Sequence, residues 1–269
     1  MTKIVIIDEE EKVVTYFLGP TGAEHRRLAN VVTIQAIEQG GLSLSDIAFI
    51  VSTGYGRVNV PFADGRVTEI TCHARGICKL FPRAGTIIDI GGQDSKGIRV
   101  RHGKVLEFVM NDKCAAGTGR FLEMVAEIMG VQVSELADLA LKGENKILSS
   151  NICSVFAAQD VMRNMARGMK REDIAAGLHK SMAIRIGNML KRIGIQDEVV
   201  MTGGGAKNRA LREEIGACLC KQIRYPEEPL ITGALGAALL GKAKAFEALE
   251  SGQALPIREL RLGEVHLFA

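Results

Sequence analysis

The chain of 269 residues contains no tryptophan, and aromatic residues make up only 4% of it. So few aromatic side chains offer little surface on which the bases of single-stranded nucleic acid could stack. The net charge is only +3, and the basic residues are spread along the chain rather than gathered in tracts. Because nucleic-acid binding needs a clustered basic surface, we predict that the protein does not bind nucleic acid.

Long apolar runs are missing as well, since no stretch approaches the roughly 18 residues that a membrane helix requires. The first residues lead straight into a predicted strand at Lys3–Ile7, without a signal-peptide pattern. We therefore expect a cytoplasmic protein with no membrane contact. None of the six cysteines forms a CxxC pair, and a disulfide framework is not expected in a reducing compartment; the six are Cys72, Cys78, Cys114, Cys153, Cys218 and Cys220.

Strand and helix patterns alternate along the chain, which predicts an α/β protein. Short β-branched runs predict strands over 3–7, 13–18, 48–51, 86–90, 96–100, 105–110 and 199–201, with one more near 223. Apolar spacing near 3.6 predicts helices over 23–38, 69–80, 119–129, 134–142, 155–167, 171–193, 207–219 and 233–249. The length favours two lobes. We predict an N-terminal α/β lobe over 1–112, a mostly helical lobe over 113–250 and a tail over 251–269.

Two glycine-rich turns follow predicted strands. Asp89 and Ile90 lead into Gly91-Gly92-Gln93-Asp94, and the strand ending at Met201 leads into Gly203-Gly204-Gly205 and on to Asn208. Glycine lets backbone amides approach a phosphate, and Asp89 or Asp94 could hold Mg²⁺ directly or through water. Neither turn is a P-loop or a GxGxxG fingerprint. Each alone is as easily a tight turn, but the pair favours a nucleotide held between two lobes.

Two cysteines each stand just before a predicted helix. Cys114 lies in a loop of small residues, and Cys153 follows the run Ser149-Ser150-Asn151-Ile152. The positive end of a helix favours a thiolate, which is the form that binds iron. A [4Fe–4S] cluster needs four thiolates, and a two-fold dimer would double the pair to four. These residues alone leave two interpretations open, namely cluster ligands or buried structural cysteines.

Five motifs together resemble a known family. They are TGYGR at 53–57, EITCHA at 69–74, IDIGGQDSK at 88–96, MNDKCAAGTGRFL at 110–122 and GALGAA at 233–238. The glycine turns resemble those of the actin, Hsp70 and sugar-kinase superfamily. Within it, the chain resembles the activators of 2-hydroxyacyl-CoA dehydratases, relatives of the ATP-binding subunits of benzoyl-CoA reductase. The resemblance covers about residues 1–245 and implies a two-lobed actin-like ATPase with ribonuclease H-like lobes.

The resemblance also implies a function. Such proteins form homodimers that take one electron from reduced ferredoxin or flavodoxin, hydrolyse ATP to ADP with Mg²⁺, and pass the electron to a dehydratase or reductase partner. Cys114 and Cys153 match the two cysteines that share one [4Fe–4S] cluster across the dimer. Catalytic candidates are Asp89, Gln93 and Asp94. Nucleotide-binding candidates are Lys3, Gly91, Gly92, Lys96, Gly203, Gly204, Gly205, Asn208 and Gly233.

One departure from the family concerns the beginning of the sequence. Such proteins usually open with a strand and a loop of the type Asp-x-Gly-Ser-Thr-x-x-Lys, whereas this sequence starts inside that motif at Thr2-Lys3. By this comparison the first strand and the glycine-bearing part of the loop are missing from the sequence; either the start was placed too late, which we favour, or this copy binds ATP poorly. Two rival functions fit parts of the pattern: a small-molecule kinase of the same superfamily, or a regulatory scaffold that does not hydrolyse ATP.

Overall fold

The computed structural model describes residues 1–21, 25–112, 114–149 and 153–256. Its strands are β1 (Thr2–Ile7), β2 (Val13–Gly19), β3 (Val51–Ser52), β4 (Gly65–Arg66), β5 (Thr86–Ile90), β6 (Ser95–Arg101), β7 (Lys104–Asn111), β8 (Val199–Thr202) and β9 (Ile223–Arg224). Its helices are α1 (His25–Gln39), α2 (Glu69–Leu80), α3 (Gly119–Met129), α4 (Val133–Lys142), α5 (Ser154–Ala166), α6 (Arg171–Leu190), α7 (Arg209–Leu219) and α8 (Thr232–Glu250). Within the described ranges, none of these helices is both long and apolar enough to cross a bilayer.

The chain divides into two compact units. The first consists of Met1–Leu80 together with the chain from Leu230 onward, and the second is Phe81–Pro229. The boundary predicted at residue 112 falls inside the second unit. The reason is that β5, β6 and β7, which precede that boundary, form one sheet with β8 and β9, which follow it. The predicted tail follows α8 over 251–256, and its remainder, from 257, lies outside the described residues.

The first unit packs helices against a hairpin. β1 and β2 pair in antiparallel register from Thr2 opposite Gly19, and α1 packs on both strands. Helix α8 contacts β1 and places Leu235 and Leu239 against Val5 in a small apolar core. The parallel pair of β3 and β4 completes the strands described in this unit.

Helices α2 and α8 of the first unit meet backbone to backbone. A Cβ atom at Gly236 would lie 1.7 Å from the carbonyl oxygen of Cys72, and one at Gly76 would lie 2.1 Å from that of Thr232. The small-residue motif at 233–238 is therefore a packing surface. Cys72 is fully buried in this contact, and burial raises the pKa of its thiol to about 11. The Cys72 thiol consequently stays protonated at neutral pH.

The second unit is built on a five-stranded sheet in the order β7-β6-β5-β8-β9. The pairs β5–β6 and β6–β7 are antiparallel, whereas β5–β8 and β8–β9 are parallel. β5 and β8 are buried along their whole length, in keeping with their mostly apolar residues, and Asp89 is the one charged residue in these two strands. Because β5 and β8 run in parallel side by side, the two glycine turns that follow them emerge at the same edge of the sheet.

The main core of the second unit lies between this sheet and helices α3 to α7. It includes Ile88 and Ile90 of β5, Phe121 and Val125 of α3, and much of α6. Helix α6 is buried on nearly every side, from Ile174 to Leu190. Such a helix leaves only a narrow strip to solvent, which includes Asn188, and acts as the central support of its unit.

Candidate functional site

The Gly91–Asp94 turn joins β5 to β6 and carries a buried charge cluster at its base. Asp89 and Lys96 are cross-strand partners in the ladder. The Lys96 Nζ atom lies 2.7 Å from Asp94 Oδ2 and 3.5 Å from Asp89 Oδ2. All three side chains are at most 7% exposed. Lys96, predicted as a phosphate contact, thus lies buried between the two predicted acidic residues.

The tip of the same turn faces solvent. Gly92 and Gln93 are exposed, while Asp94 beneath them is buried. The Asp94 carbonyl oxygen accepts a hydrogen bond from the Gly91 amide at 2.9 Å, which closes the turn. The Gln93 side chain and the Gly92 backbone thus lie at the surface, over the buried carboxylates of Asp89 and Asp94. It offers a phosphate contact surface with acidic oxygens directly below.

The Gly203–Lys207 turn packs directly against the end of β5. A Cβ atom at Gly203 would lie 2.4 Å from the Ile90 carbonyl oxygen and 2.6 Å from Asp89 Oδ1. A Cβ atom at Gly205 would lie 2.6 Å from the Cβ atom of Ile90. The two turns, expected in separate lobes, are therefore neighbours within the second unit. Glycine is needed at Gly203 for its φ of 77° as well as for this close approach.

The base of the Gly203–Lys207 turn is held by residues that the sequence did not single out. The Arg212 guanidinium donates to the Ala206 carbonyl oxygen and stacks 3.9 Å above the centre of the Tyr225 ring. The Gly203 amide and the Thr202 hydroxyl both donate to the Pro229 carbonyl oxygen. These contacts depend on residues distant in the chain, so no local pattern marks them.

Asn208 and His179 form a buried pair at the end of the turn. The Asn208 side-chain oxygen accepts from the Leu211 amide and caps α7, and its amide nitrogen lies 2.9 Å from His179 Nε2. The other ring nitrogen, Nδ1, lies 2.8 Å from the Ala175 carbonyl oxygen. Since a carbonyl only accepts, Nδ1 carries the proton and Nε2 accepts from Asn208. The predicted nucleotide contact Asn208 thus also has a structural role, and His179 was missed.

Because His179 is buried in this pair, we expect the stability of the protein to depend on pH. Burial lowers the pKa of His179 from its ordinary value, so the folded chain keeps the ring neutral where the unfolded chain protonates it. His179 therefore makes its full contribution to the free energy of unfolding above about pH 6.5, the pKa of the ring in the unfolded chain. This contribution is lost as the pH falls below that value. His179→Gln retains an acceptor for Asn208 but does not titrate. We expect wild-type protein to lose more stability than this variant between about pH 8 and about pH 5.

Urea unfolding at several pH values measures this difference. His102, which is exposed in the turn between β6 and β7, provides the control. Its φ is 50°, a value that asparagine tolerates, so His102→Asn should preserve the wild-type pH dependence. If the free energy of unfolding changed equally with pH in the wild-type protein and in His179→Gln, the assignment of a neutral, buried His179 would be contradicted.

Cys114 begins a loop of small residues, Cys114–Thr118, that leads into α3. The first amides of α3 bind the Gly91–Asp94 turn: the Gly119 amide donates to the Gly91 carbonyl at 2.8 Å, and the Arg120 amide to that of Gly92 at 2.9 Å. The Cys114 side chain is half-buried. The loop bearing Cys114 is thus hydrogen-bonded, through the start of α3, to one of the two glycine turns.

Cys153 is the N-cap residue of α5, and its carbonyl oxygen accepts from the Ala157 amide. Helix α5 packs against α3. Four residues earlier, Ser149 is bound to α6: the Ser181 hydroxyl donates to the Ser149 carbonyl oxygen at 2.9 Å and accepts from its amide at 3.2 Å. Both cysteines predicted as cluster ligands therefore stand before helices of the second unit.

The cysteines and the acidic side chains set different conditions for binding the implied metals. All six cysteines are thiols, and no three described His, Cys, Asp or Glu side chains form a group that could hold a metal ion. Two half-buried thiols, one in the loop before α3 and one at the N-cap of α5, suit a thiolate-bound cluster only if a second chain supplies the remaining ligands. Two carboxylates suit Mg²⁺, which usually completes its shell with water and phosphate oxygens.

Two predicted nucleotide contacts lie in the first unit. Lys3 is exposed on β1. Gly233 belongs to α8, where an added Cβ atom would lie 3.2 Å from His73 Nε2. Their part in binding nucleotide stays a prediction.

The fold with these paired glycine turns is that of the actin-like ATPases, a mixed α/β class. A family model matches residues 1–241, and the chain belongs to the BadF/BadG/BcrA/BcrD ATPase family. Among similar proteins is the 2-hydroxyisocaproyl-CoA dehydratase activator of Clostridioides difficile. It is 46% identical over 209 residues, which cover 77% of this chain and 79% of the relative.

Solved structures agree with this assignment. Component A of the (R)-2-hydroxyglutaryl-CoA dehydratase of Acidaminococcus fermentans superposes with a TM-score of 0.87 at 39% identity, covering 91% of this chain and 94% of that one. The activator of the 2-hydroxyisocaproyl-CoA dehydratase from Clostridium difficile, solved with bound ADPNP, gives a TM-score of 0.84 at 40% identity, covering 94% of both chains.

Proposed function

We propose that this chain is an ATP-hydrolysing activator that passes one electron to a 2-hydroxyacyl-CoA dehydratase or a related reductase. Two copies would share a [4Fe–4S] cluster through Cys114 and Cys153, with reduced ferredoxin or flavodoxin as the donor. Relatives described as dehydratase activators and as a benzoyl-CoA reductase subunit support the choice of partner. The contact between the start of α3 and the Gly91–Asp94 turn carries the proposal, because it joins the Cys114 loop to a nucleotide turn.

The nucleotide half of the proposal assigns a role to each turn. Gly91 and Gly92 would contact the phosphates, and Gly203, Gly204 and Gly205 the adenosine. The structure solved with bound ADPNP supports nucleotide binding in this family. Asp89 and Asp94 would hold Mg²⁺ through water, while the exposed Gln93 would orient the attacking water. Lys96 keeps the two carboxylates in place by its ion pairs.

The electron-transfer half depends on the thiols. A bound [4Fe–4S] cluster would supply a low-potential one-electron carrier. Cys114 and Cys153 would each supply one thiolate ligand, Cys114 from the loop that leads into α3 and Cys153 from the N-cap of α5. Because the start of α3 is hydrogen-bonded to the Gly91–Asp94 turn, a change in that turn on ATP binding or hydrolysis would move the Cys114 loop. ATP would thereby favour the arrangement that docks the partner.

Iron analysis tests this function. Protein purified without oxygen should contain about four irons and as many acid-labile sulfides per pair of chains, as one thiolate-bound cluster requires. Cys114→Ser and Cys153→Ser should each abolish the iron and the pairing of chains that depends on it. Cys220→Ser serves as the control, since Cys220 is exposed and lies at the end of α7, and it should leave the iron unchanged.

The outcomes separate the rival functions. Iron retained by either Cys114→Ser or Cys153→Ser would overturn the shared cluster. A wild-type protein that phosphorylates a small molecule and contains no iron would be a kinase. A protein that neither binds iron nor hydrolyses ATP would be a scaffold.

A further inference from the structure

Asn111, the last residue of β7, makes three contacts with its side-chain amide. The Nδ2 group donates to the carbonyl oxygens of Cys114 at 3.0 Å and Ala116 at 3.1 Å. The Ser95 hydroxyl, directly beside Asp94, lies 3.5 Å from the same Nδ2 atom and makes a weaker contact that shares one of its two hydrogens. One amide group thus connects the Cys114–Thr118 loop to the strand that leaves the Gly91–Asp94 turn.

The Cys114–Thr118 loop has few side chains with which to hold its own shape. Ala115, Ala116 and Gly117 offer little to pack, and Gly117 has a φ of 96°. Its internal contact is made by Thr118, whose amide and hydroxyl both donate to the Ala115 carbonyl oxygen. Backbone groups buried outside regular structure need polar partners. The amide of Asn111 supplies two of them from outside the loop.

The loop is therefore held on two sides. At its far end, the amides of Gly119 and Arg120 bind the Gly91–Asp94 turn. At its near end, Asn111 binds the loop carbonyls and the Ser95 hydroxyl. Asn111 precedes Cys114 in the chain, and Gly119 follows Ala116, so the segment between them is attached at both ends. A change in the turn would reach the loop through both ends.

We propose that Asn111 is a positioning residue that holds the Cys114 loop against the Gly91–Asp94 turn, so that Cys114 follows the nucleotide state of that turn. The value of this positioning to electron transfer rests on the proposed function. The contact itself does not depend on the cluster.

Hydrogen exchange of the full chain, followed by mass spectrometry, tests the proposal. The amides of Thr118, Gly119 and Arg120 are hydrogen-bonded and report the loop. Asn111→Ala removes the donors, and Asn111→Asp keeps the shape but turns a carboxylate toward two carbonyl oxygens. Exchange at these amides should be about tenfold faster in Asn111→Ala, as expected for the loss of a hydrogen bond of ordinary strength. It should be faster still in Asn111→Asp.

Two controls keep this result interpretable. Asn188→Asp makes the same chemical change on the exposed side of α6 and should leave the loop amides unchanged. Amides in the buried part of α6 report global unfolding, and they should exchange at the wild-type rate in both Asn111 variants. Two results would overturn the proposal. The loop amides could exchange at the wild-type rate in both Asn111 variants, or the rise in exchange rate could be as large in α6 as in the loop. If Asn111→Asp does not fold, Asn111→Ala alone decides.

A nucleotide response separates positioning from simple stabilisation. In the wild-type protein, Mg-ADPNP should slow exchange over the whole span from Cys114 to Arg120. In Asn111→Ala, it should slow only Gly119 and Arg120, which bind the turn directly. The same slowing over the whole span in Asn111→Ala would contradict the proposal. No response in the wild-type protein would count against the proposed function instead, while the nucleotide-free comparison would still decide the contact.

Discussion

Lys96→Met should lower the free energy of unfolding by about 3–5 kcal/mol, the usual cost of removing one partner from a buried ion pair. Asp89 and Asp94 are 4% and 5% exposed, and Lys96 Nζ lies 2.7 Å from Asp94. Methionine fills a similar volume but leaves both carboxylates without that ammonium group. Urea unfolding at neutral pH measures the loss. We expect Mg-ADP binding, followed by calorimetry, to fall with it.

Two further variants identify the cause. Lys96→Met combined with Asp94→Asn removes one of the two negative charges, so it should be more stable than Lys96→Met alone. Lys104→Met removes an exposed lysine at the start of β7 and should change stability by less than about 0.5 kcal/mol. A Lys96→Met protein as stable as Lys104→Met would show that the charge cluster contributes nothing.

Gly203→Ala should be destabilised by about 2–6 kcal/mol, because two separate costs add at this position. A residue with a side chain at a φ of 77° and a ψ of −179°, a region that essentially only glycine occupies, costs about 1–3 kcal/mol. The new methyl group would also lie 2.4 Å from the Ile90 carbonyl oxygen and 2.6 Å from Asp89 Oδ1, and such crowding costs about 1–3 kcal/mol. Relief of this contact requires the Gly203–Lys207 turn to move from the end of β5, so Mg-ADP affinity should also fall.

Gly54→Ala isolates the backbone cost. Gly54 has nearly the backbone angles of Gly203, with a φ of 78° and a ψ of −173°, and nothing lies within 4 Å of an added Cβ atom. This variant should therefore lose only about 1–3 kcal/mol in urea unfolding. Equal losses in the two variants would show that the approach of Gly203 to β5 carries no energetic weight.

Most local structure followed from the sequence, although the strand predicted over 48–51 is β3 at Val51–Ser52 and β4 was not predicted. The helix predicted over 119–129 and the strand over 86–90 have the predicted bounds, and the helix predicted over 171–193 ends earlier, at Leu190. Apolar spacing and glycine positions act over a few residues, so a single sequence carries them well. The actin-like fold was also predicted correctly, but from the resemblance of the motifs rather than from periodicity.

Long-range structure did not follow in the same way. The parallel pairing of β5 with β8 joins Thr86 to Val199, and nothing in either strand identifies its partner. That pairing places both glycine turns in one unit, where the sequence suggested two. The buried bond between His179 and Asn208 is similar, because a histidine within an apolar helix has the same sequence signature whether it is partnered or not. Asn111 stood within a recognised motif, yet its contacts appear only in three dimensions.

The division of the chain has a consequence for its synthesis. The second unit is continuous, so all of its strands have left the ribosome once Pro229 has emerged. The first unit is completed by α8, which packs on α2 and β1. Those two elements are made more than a hundred residues earlier and cannot bury their apolar faces until α8 arrives. The nascent chain should thus fold from its middle, with its N-terminal segment exposed to chaperones and proteases during that interval.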